Sequence, residues 1–523
     1  MTTRKTTKKS AGKSAAGKKS AAAPRSVKKA VKRAVAATKS ATAKKAATKK
    51  TATTKKSATG KKSATTKKSA TGRGAKAARG GKGAFRAKIR MYRQGLGDCF
   101  LITLPRKNGK PFYVVIDCGV ILGTKEPKAI MGRVVQNIID TTGGHIHLLA
   151  ATHEHWDHLS GFLQARELWE DREKLKIDEV WMAWTENAKD ELARKLGKER
   201  HSLRIALSAA SARMRMAGDG DGAGEVTSLI EFFGAVGGGT TTADALEIVK
   251  SLTENPRYCR PDDAPVTLDG TGVKVYVLGP PLEEKFIKKY NPSKNEPETY
   301  GIDSMNMFMS GITPALVDAT DVGPFDATHH IPLQAAEQVP FFQQHYWGED
   351  ADSEEKDQGW RQIQGSWLDS SSSLALQLDS STNNTSLVLA FELDGGDVLL
   401  FASDAQVGNW LSWSDLSWKV KGKAVTGPDL LHRTIFYKVG HHGSHNATLR
   451  EQGLEQMKGL RLAFLPVDHE MALKKRWGKM PFDDLLDRLN EKTQGRVVRI
   501  DEDVPPQLKK SVEADELFYE VSL

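Results

Sequence analysis

Short apolar runs separated by polar turns begin near residue 84 and continue to the end of the sequence. Several runs lack polar alternation, which is typical of strands buried on both faces. Stretches at 130–140 and 187–216, the second rich in Ala, Leu, Arg and Lys, predict helices. The pattern indicates an α/β domain. Its predicted strands lie at 100–104, 113–117, 146–152, 179–184, 273–278, 386–391, 397–402, 434–439 and 460–465.

Two insertions interrupt this pattern. The first, at about 185–270, contains Gly-rich runs at 217–224 and 234–239. Neither run carries the Lys-Ser/Thr pair of a phosphate-binding loop, so we interpret both as flexible linkers. The second insertion, at about 301–379, is polar and contains tryptophan. It is predicted to form loops or a cap over one end of the core.

The first 83 residues have a different composition from the rest of the chain. They consist almost wholly of Lys, Ala, Thr, Ser and Gly, and no aromatic residue occurs among them. Such a segment cannot bury enough apolar surface to offset its ordering entropy, so we predict a disordered tail at 1–83. It holds 27 of the 77 Lys and Arg residues and none of the 64 Asp and Glu residues. A polycation therefore precedes an acidic domain at 84–523, which has 50 basic and 64 acidic residues.

A six-residue repeat, KKSATG, KKSATT and KKSATG, occupies 55–72 within this tail. The tail resembles the Lys/Ala-rich tails of linker-histone-like bacterial proteins, which implies contact with nucleic-acid phosphates without base reading. The alternative is a solubilising tail with no dedicated partner. The repeat contributes the lysine pairs Lys55, Lys56, Lys61, Lys62, Lys67 and Lys68.

The remaining composition bears on the compartment. The sequence has neither the roughly 18–20 consecutive apolar residues of a membrane helix nor the apolar core of a signal peptide after Met1. Cys99, Cys118 and Cys259 are odd in number and widely spaced, which argues against a disulfide framework and a cysteine zinc site. We expect a cytoplasmic protein with no membrane partner, associated with the nucleoid through its tail. The oligomeric state is not predicted.

The strongest chemical signal is the segment THEHWDHLSG at 152–161, directly after a predicted buried strand. His153, His155, Asp157 and His158 form the pattern H-x-H-x-D-H. On a tight loop these side chains can converge on one or two divalent ions. Buried without a ligand, they would remain uncompensated polar groups. The sequence therefore predicts a metal site, with zinc best suited to the imidazoles and manganese as the alternative.

This loop and three further segments in the same order resemble the metallo-β-lactamase superfamily. The further segments are VIDCG at 115–119, LLFASDA at 399–405 and KVGHHGS at 438–444. The resemblance implies a four-layer αββα sandwich and a hydrolase that uses a metal-bound hydroxide. It also implies that Asp117 braces the metal loop, that Asp404 bridges the ions and that His441 closes the second metal site.

Two catalytic roles follow from the same resemblance. Asp157 would orient the attacking water or accept its proton, and His442 would contact phosphate or transfer a proton. The roles of His441 and His442 could be exchanged.

Segments 95–102, 383–389 and 438–444 resemble, more narrowly, the branch that includes the hydrolase domain of the competence DNA-uptake protein. This resemblance spans about 91–468 and implies a freestanding hydrolase, because the chain has no membrane channel. Within it, Asp98 would reach toward the metal site. Alternatively, Asp98 is a turn carboxylate that caps its own backbone.

One departure concerns the first metal. The superfamily usually has a third histidine between the metal loop and the bridging aspartate, where this chain has Asn383-Asn384-Thr385-Ser386. We interpret the change as replacement of that imidazole by the Asn383 amide oxygen or by water, which weakens the first site. His329 and His330, in the second insertion, are one alternative: they would fold back and replace the missing imidazole. The other alternative is that they are ordinary loop histidines.

Three functions fit this sequence. The first is a phosphodiesterase or nuclease whose basic tail concentrates nucleic acid near an acidic domain. The second is a small-molecule hydrolase such as a lactonase, thioesterase or lactamase-like enzyme. The third is an inactive nucleoid-binding protein, an idea that the change at Asn383 motivates.

Overall fold

Two large β-sheets and one small hairpin organise the chain. The computed structural model describes residues 85–216, 220–234, 240–289, 292, 299, 338–342, 366–475, 477 and 480–523. The basic tail and most of the second insertion lie outside the described residues. The strands are β1 (Lys88–Tyr92), β2 (Cys99–Leu104), β3 (Phe112–Cys118), β4 (His145–Ala151), β5 (Lys176–Ala183), β6 (Arg257–Cys259), β7 (Val266–Thr267), β8 (Lys274–Gly279), β9 (Val388–Glu392), β10 (Val398–Phe401), β11 (Ser417–Val420), β12 (Lys423–Thr426), β13 (Thr434–Lys438), β14 (Leu462–Leu465), β15 (Val497–Arg499), β16 (Val512–Ala514) and β17 (Phe518–Ser522).

Helices connect these strands and cover the sheets. They are α1 (Pro127–Thr142), α2 (Trp156–Gln164), α3 (Arg166–Trp169), α4 (Glu191–Met216), α5 (Gly220–Ile230), α6 (Thr242–Ser251), α7 (Glu284–Ile287), α8 (Pro340–Phe342), α9 (Ser366–Asn383), α10 (Val407–Leu411), α11 (Gly427–His432), α12 (His469–Lys474) and α13 (Asp483–Thr493). Across the described residues, no helix is long and apolar enough to cross a membrane.

Both sheets are mixed. The first has the order β16-β17-β1-β2-β3-β4-β5-β6, in which β3 to β6 are parallel. The second has the order β15-β14-β13-β10-β9-β8-β7, in which β10, β13, β14 and β15 are parallel. Loops that follow parallel strands gather at one edge of a sheet, where α/β proteins commonly bind ligands.

Three apolar cores hold the layers together. One combines side chains of both sheets, and the rings of Phe100 and Phe401 meet there edge to face with centroids 5.6 Å apart. A second core joins the first sheet to α1, α2 and α6, and a third joins the second sheet to helices that include α4, α5 and α9. The described residues therefore form an α/β structure in which each sheet shares one face with the other sheet and one with helices.

All nine predicted strands overlap observed strands, whereas one prediction about the insertions was wrong over its described residues. The first glycine-rich run was interpreted as a linker, but Gly220–Ile230 is helical because Val226 and Ile230 pack into the core. The second insertion was expected to form loops or a cap over the core, and its described end belongs to helix α9. Its serine run obscured the apolar positions Ala375 and Leu378, which pack into the same core.

Candidate metal centre

Four loops at the carboxyl ends of strands bring the predicted residues together. Asp117 lies near the end of β3, the H-x-H-x-D-H segment follows β4, Asp404 follows β10, and the two histidines His441 and His442 follow β13. These strands belong to both sheets, and all of these side chains are buried. The fold thus concentrates carboxylates and imidazoles at one site.

Asp117 anchors the metal loop. Its Oδ1 accepts a hydrogen bond from the backbone N–H of Thr152 at 2.8 Å, and its Oδ2 accepts one from the Thr152 hydroxyl at 2.7 Å. Oδ2 also lies 2.8 Å from His158 Nδ1. Because an ionised carboxylate can only accept, Nδ1 of His158 carries a proton there. Asp117 therefore orients the loop and directs Nε2 of His158 away from itself.

His158 Nε2 points at Asp404. It lies 3.1 Å from Asp404 Oδ2, and neither atom has a hydrogen-bond partner. In neutral His158 the Nε2 atom is a bare lone pair, because the proton is on Nδ1. Two acceptors that face each other in a buried site need a proton or a metal ion between them.

His442 is oriented in the same way. Its Nδ1 lies 2.7 Å from the carbonyl oxygen of Pro466, which can only accept, so this nitrogen also carries the proton. Its Nε2 then faces Asp157 Oδ2 at 2.8 Å and Asp404 Oδ2 at 3.8 Å. His441 and His442 both have left-handed backbones, with φ of 41° and 51°. Successive non-glycine residues in this region are strained, which is typical of functional sites.

Four potential ligand atoms converge: Asp157 Oδ2, His158 Nε2, Asp404 Oδ2 and His442 Nε2. The four distances from a histidine nitrogen to an aspartate oxygen are 2.8, 3.1, 3.7 and 3.8 Å. Ligand atoms about 2.1 Å from a tetrahedral ion lie about 3.4 Å from one another, so these separations fit one divalent ion. This buried group, which we call the Asp157 half-site, could bind a metal ion.

The electrostatics of the half-site favour a cation. Burial alone would raise the pKa of Asp404, but His158, Lys438 and His442 hold it well below its ordinary value. Burial alone would lower the pKa of His158, but Asp404, Asp98 and other carboxylates raise it well above its ordinary value. Burial alone would also lower the pKa of His442, but Asp404 and Asp157 raise it above its ordinary value. Protonated imidazoles therefore supply the positive charge that a bound ion would supply.

Asp98 also belongs to this cluster, since possible ligand atoms of Asp98, His158, Asp404 and His442 lie within 4.8 Å of one another. Its oxygens, however, lie 3.9 Å from the Nδ1 atoms of His158 and His442, which carry protons. Asp98 Oδ2 instead pairs with Lys438 Nζ at 2.5 Å. Asp157 is consequently the better fourth ligand, and Asp98 contacts the lysine rather than capping its own turn.

Lys438 is a residue that the sequence did not single out. Its ammonium also lies 3.3 Å from Asp404 Oδ1 and donates to the Ser403 carbonyl at 3.0 Å. Burial opposes its charge, but Asp98 and Asp404 raise its pKa above the ordinary value. Because Lys438 and the His441 backbone N–H occupy Oδ1 of Asp404, Oδ2 is the oxygen left for a metal.

His153 and His155 form a second pair, the His153 half-site. Nε2 of His153 lies 3.1 Å from Nδ1 of His155. Burial lowers the pKa of His155 to about 3 and that of His153 well below its ordinary value, so both rings are neutral near pH 7. Neutral imidazoles are the form that binds metal.

His441 does not point into the Asp157 half-site. Its Nδ1 lies 2.8 Å from the Ser444 hydroxyl, and its Nε2 lies 3.4 Å from Asn383 Nδ2. Burial lowers its pKa to about 4. The exchanged roles therefore fit the geometry better than the expected ones: His442 closes the Asp157 half-site, and His441 faces Asn383.

Asn383 lies at the end of α9, beside a second residue that the sequence missed. The amide donates through Nδ2 to Asp379 Oδ2 at 3.1 Å, while Asn383 Oδ1 has no hydrogen-bond partner. Asp379 Oδ1 lies 3.8 Å from His155 Nε2. The spacing of four residues on one helix was the available signal for this pair.

The cysteines and several tryptophans have simpler environments. Cys99, Cys118 and Cys259 are free and buried. Trp410, Trp413 and Trp418 are core residues. The tail lysines 55–68, His329 and His330, Trp347 and Trp360, and the side chain of Trp367 lie outside the described residues.

A further group, His145, His147 and Asp178, lies at the start of β4 and β5. The backbone N–H of Tyr113 donates to His147 Nδ1 at 3.0 Å. Neutral His147 therefore carries its proton on Nε2 and has no free lone pair. Asp178 Oδ2 and His145 Nε2, 2.7 Å apart, already pair with each other, so we do not assign a metal to this group.

No protein-family model matches the chain, and no curated protein matches it. The functional argument therefore depends on the residues and their geometry.

Proposed function

We propose that residues 84–523 form a metal-dependent hydrolase with the four-layer αββα sandwich of the metallo-β-lactamase superfamily. The observation that carries this proposal is the convergence of four potential ligand atoms from two histidines and two aspartates in the Asp157 half-site. Their position after strands of two face-to-face sheets, in the motif order of that superfamily, supports it further. One or two divalent ions, zinc or manganese, would be held there and in the His153 half-site.

When bound, divalent ions supply an activated water and neutralise charge on a phosphoryl or carbonyl oxygen. Asp157 Oδ1, which has no hydrogen-bond partner, is the atom placed to orient that water or take its proton. With the roles exchanged, His441 would be the residue that contacts phosphate or transfers a proton; its Nδ1 is hydrogen-bonded to Ser444 and its Nε2 faces Asn383. Lys438 pairs with Asp98 and Asp404 at the back of the site and favours the ionised form of Asp404.

We further propose that the substrate is a phosphodiester of DNA or RNA. The domain from residue 84 has 50 basic and 64 acidic residues, so by itself it repels a polyanion. The 27 basic residues of the tail supply sequence-independent attraction to phosphates. The tail thus provides the affinity that the acidic domain lacks.

A small-molecule hydrolase is the second candidate. It is favoured by the depth of the site, since Asp157, His158, Asp404 and His442 have no exposed surface. A lactone or thioester can enter a deep site more readily than a duplex can. In that case the tail would only localise the enzyme.

The test is cleavage of labelled single- and double-stranded DNA by the full-length protein with added Mn²⁺ or Zn²⁺. We expect cleavage that requires metal, is lost in His442→Ala and is retained in His201→Ala, a change at an exposed histidine on α4. A variant without residues 1–83 should lose DNA affinity far more than single-turnover rate. Absence of cleavage with every metal, despite bound ions, would favour the small-molecule hydrolase.

A further inference from the structure

Asp379 is a buried carboxylate with an incomplete set of partners. Its side chain is 7 % exposed. Oδ2 accepts a hydrogen bond from Asn383, whereas Oδ1 has no hydrogen-bond partner. One amide donor leaves Oδ1 of this buried carboxyl unmatched, so a further partner is required.

His155 is the partner that the geometry offers. Its Nε2 faces Asp379 Oδ1 across 3.8 Å, and this nitrogen is also buried without a hydrogen-bond partner. A movement of about 1 Å would convert the contact into a charge-assisted hydrogen bond. Nε2 would then be the nitrogen that carries the His155 proton.

The other edge of the His155 ring shows what this proton position achieves. Nδ1 faces His153 Nε2 at 3.1 Å. The Thr152 hydroxyl gives its own hydrogen to Asp117 and can therefore accept one from His153 Nδ1, 3.1 Å away. That leaves His153 Nε2 as a lone pair. With its proton on Nε2, His155 also presents a lone pair at Nδ1, and both atoms can bind one ion.

We propose that Asp379 is the positioning residue of the His153 half-site. It holds the His155 proton on Nε2 and keeps the Nδ1 lone pair directed at the ion. Helix α9 thus supports an existing histidine from one turn before Asn383, at the place where the superfamily would supply a third histidine. Removing a carboxylate that hydrogen-bonds a metal-binding histidine typically weakens metal affinity by about 10–100-fold. The inference rests on the proposed metal centre.

The experiment is titration of the metal-stripped, full-length protein with Co²⁺, followed through the visible absorption of the bound ion. The variants are Asp379→Leu, which removes the acceptor at similar size, and Asp379→Asn, which keeps an acceptor oxygen. Asp394→Asn, at an exposed position, is the control. We expect the weaker of two binding steps to lose about 10–100-fold in affinity in Asp379→Leu. It should lose less in Asp379→Asn, with the tighter step unchanged in both.

Three results would overturn the inference. Equal affinities in Asp379→Leu and the wild type would show that His155 needs no such partner. Complete loss of the weaker step in Asp379→Asn would identify Asp379 as a direct ligand instead. Loss of both steps in both variants would indicate a general structural role.

Failure of the proposed function would look different. A wild-type protein that binds no Co²⁺ would refute the metal centre itself. Tight binding without hydrolysis of any substrate would refute the hydrolase while leaving the Asp379 comparison intact.

Discussion

Replacing Lys438 by methionine would remove a buried positive charge from the metal cluster while preserving the length of the side chain. Lys438 Nζ lies 2.5 Å from Asp98 and 3.3 Å from Asp404, and its side chain is 1 % exposed. Removing one partner of a buried ion pair costs about 3–5 kcal/mol. Burial already raises the pKa of Asp98, so this carboxyl can take up a proton. We therefore expect the lower end, a loss of about 3 kcal/mol in the free energy of unfolding.

Bound metal should reduce that loss. Without the ammonium near Asp404, the half-site attracts a divalent ion more strongly, and we estimate about tenfold tighter binding. Tenfold corresponds to about 1.4 kcal/mol. At the same saturating Zn²⁺ concentration, metal binding therefore stabilises the folded variant by about 1.4 kcal/mol more than it stabilises the folded wild type. The deficit should shrink from about 3 kcal/mol with chelator to about 1.6 kcal/mol with Zn²⁺.

Urea unfolding with chelator and with excess Zn²⁺ measures both quantities. Lys195→Met is the matched control, because Lys195 pairs with Glu284 at 2.8 Å but is 52 % exposed. Such a surface pair contributes at most about 1 kcal/mol. The reasoning would be refuted if Lys438→Met resembled this control in chelator, or if its deficit were the same with and without Zn²⁺.

Three further predictions concern pH, metal choice and salt. The raised pKa values of His158 and His442 stabilise the metal-free fold below their unfolded pKa of about 6.5, and this stabilisation is lost as pH rises through the folded values. The urea midpoint of metal-free protein should therefore fall with rising pH, and Zn²⁺ affinity should rise; a flat midpoint would contradict this. Asn383→His should tighten the weaker Zn²⁺ step in a chelator-competition titration, and unchanged affinity would show that position 383 does not face that ion. Raising salt from 50 to 200 mM should weaken DNA binding by roughly 10³–10⁵-fold if the tail contacts about 6–10 phosphates, and a variant without residues 1–83 should lose this dependence in a fluorescence-anisotropy titration.

The sequence predicted those parts of the site that depend on local order. His153, His155, Asp157 and His158 occur within six residues, so a single turn after a strand is enough to gather them. Asp117 and Asp404 were predicted through the resemblance, because each lies at the end of an apolar run in a segment similar to a motif of the superfamily. The strands themselves were predicted from their apolar runs.

The remaining parts depend on packing. A lysine at the end of a strand indicates a surface charge, and Lys438 becomes a buried cation only because Asp98 and Asp404 meet it from segments next to other strands. Asp379 follows a run of serines, and its proximity to His155 appears only when α9 packs beside the loop. The choice between His441 and His442 depends on two successive left-handed residues, a conformation that sequence does not indicate for histidine.

The Asp157 half-site joins Asp157 to a histidine 285 positions later in the chain. A nascent chain can present the H-x-H-x-D-H segment early, but His442 and Asp404 reach it only after both sheets have joined. The four-ligand set is thus a late product of folding, unlike the sites of small zinc modules that fold around their metal. Metal would enter a finished domain, and its removal would leave an empty but folded protein. Cellular metal supply would then control activity without controlling the amount of folded protein.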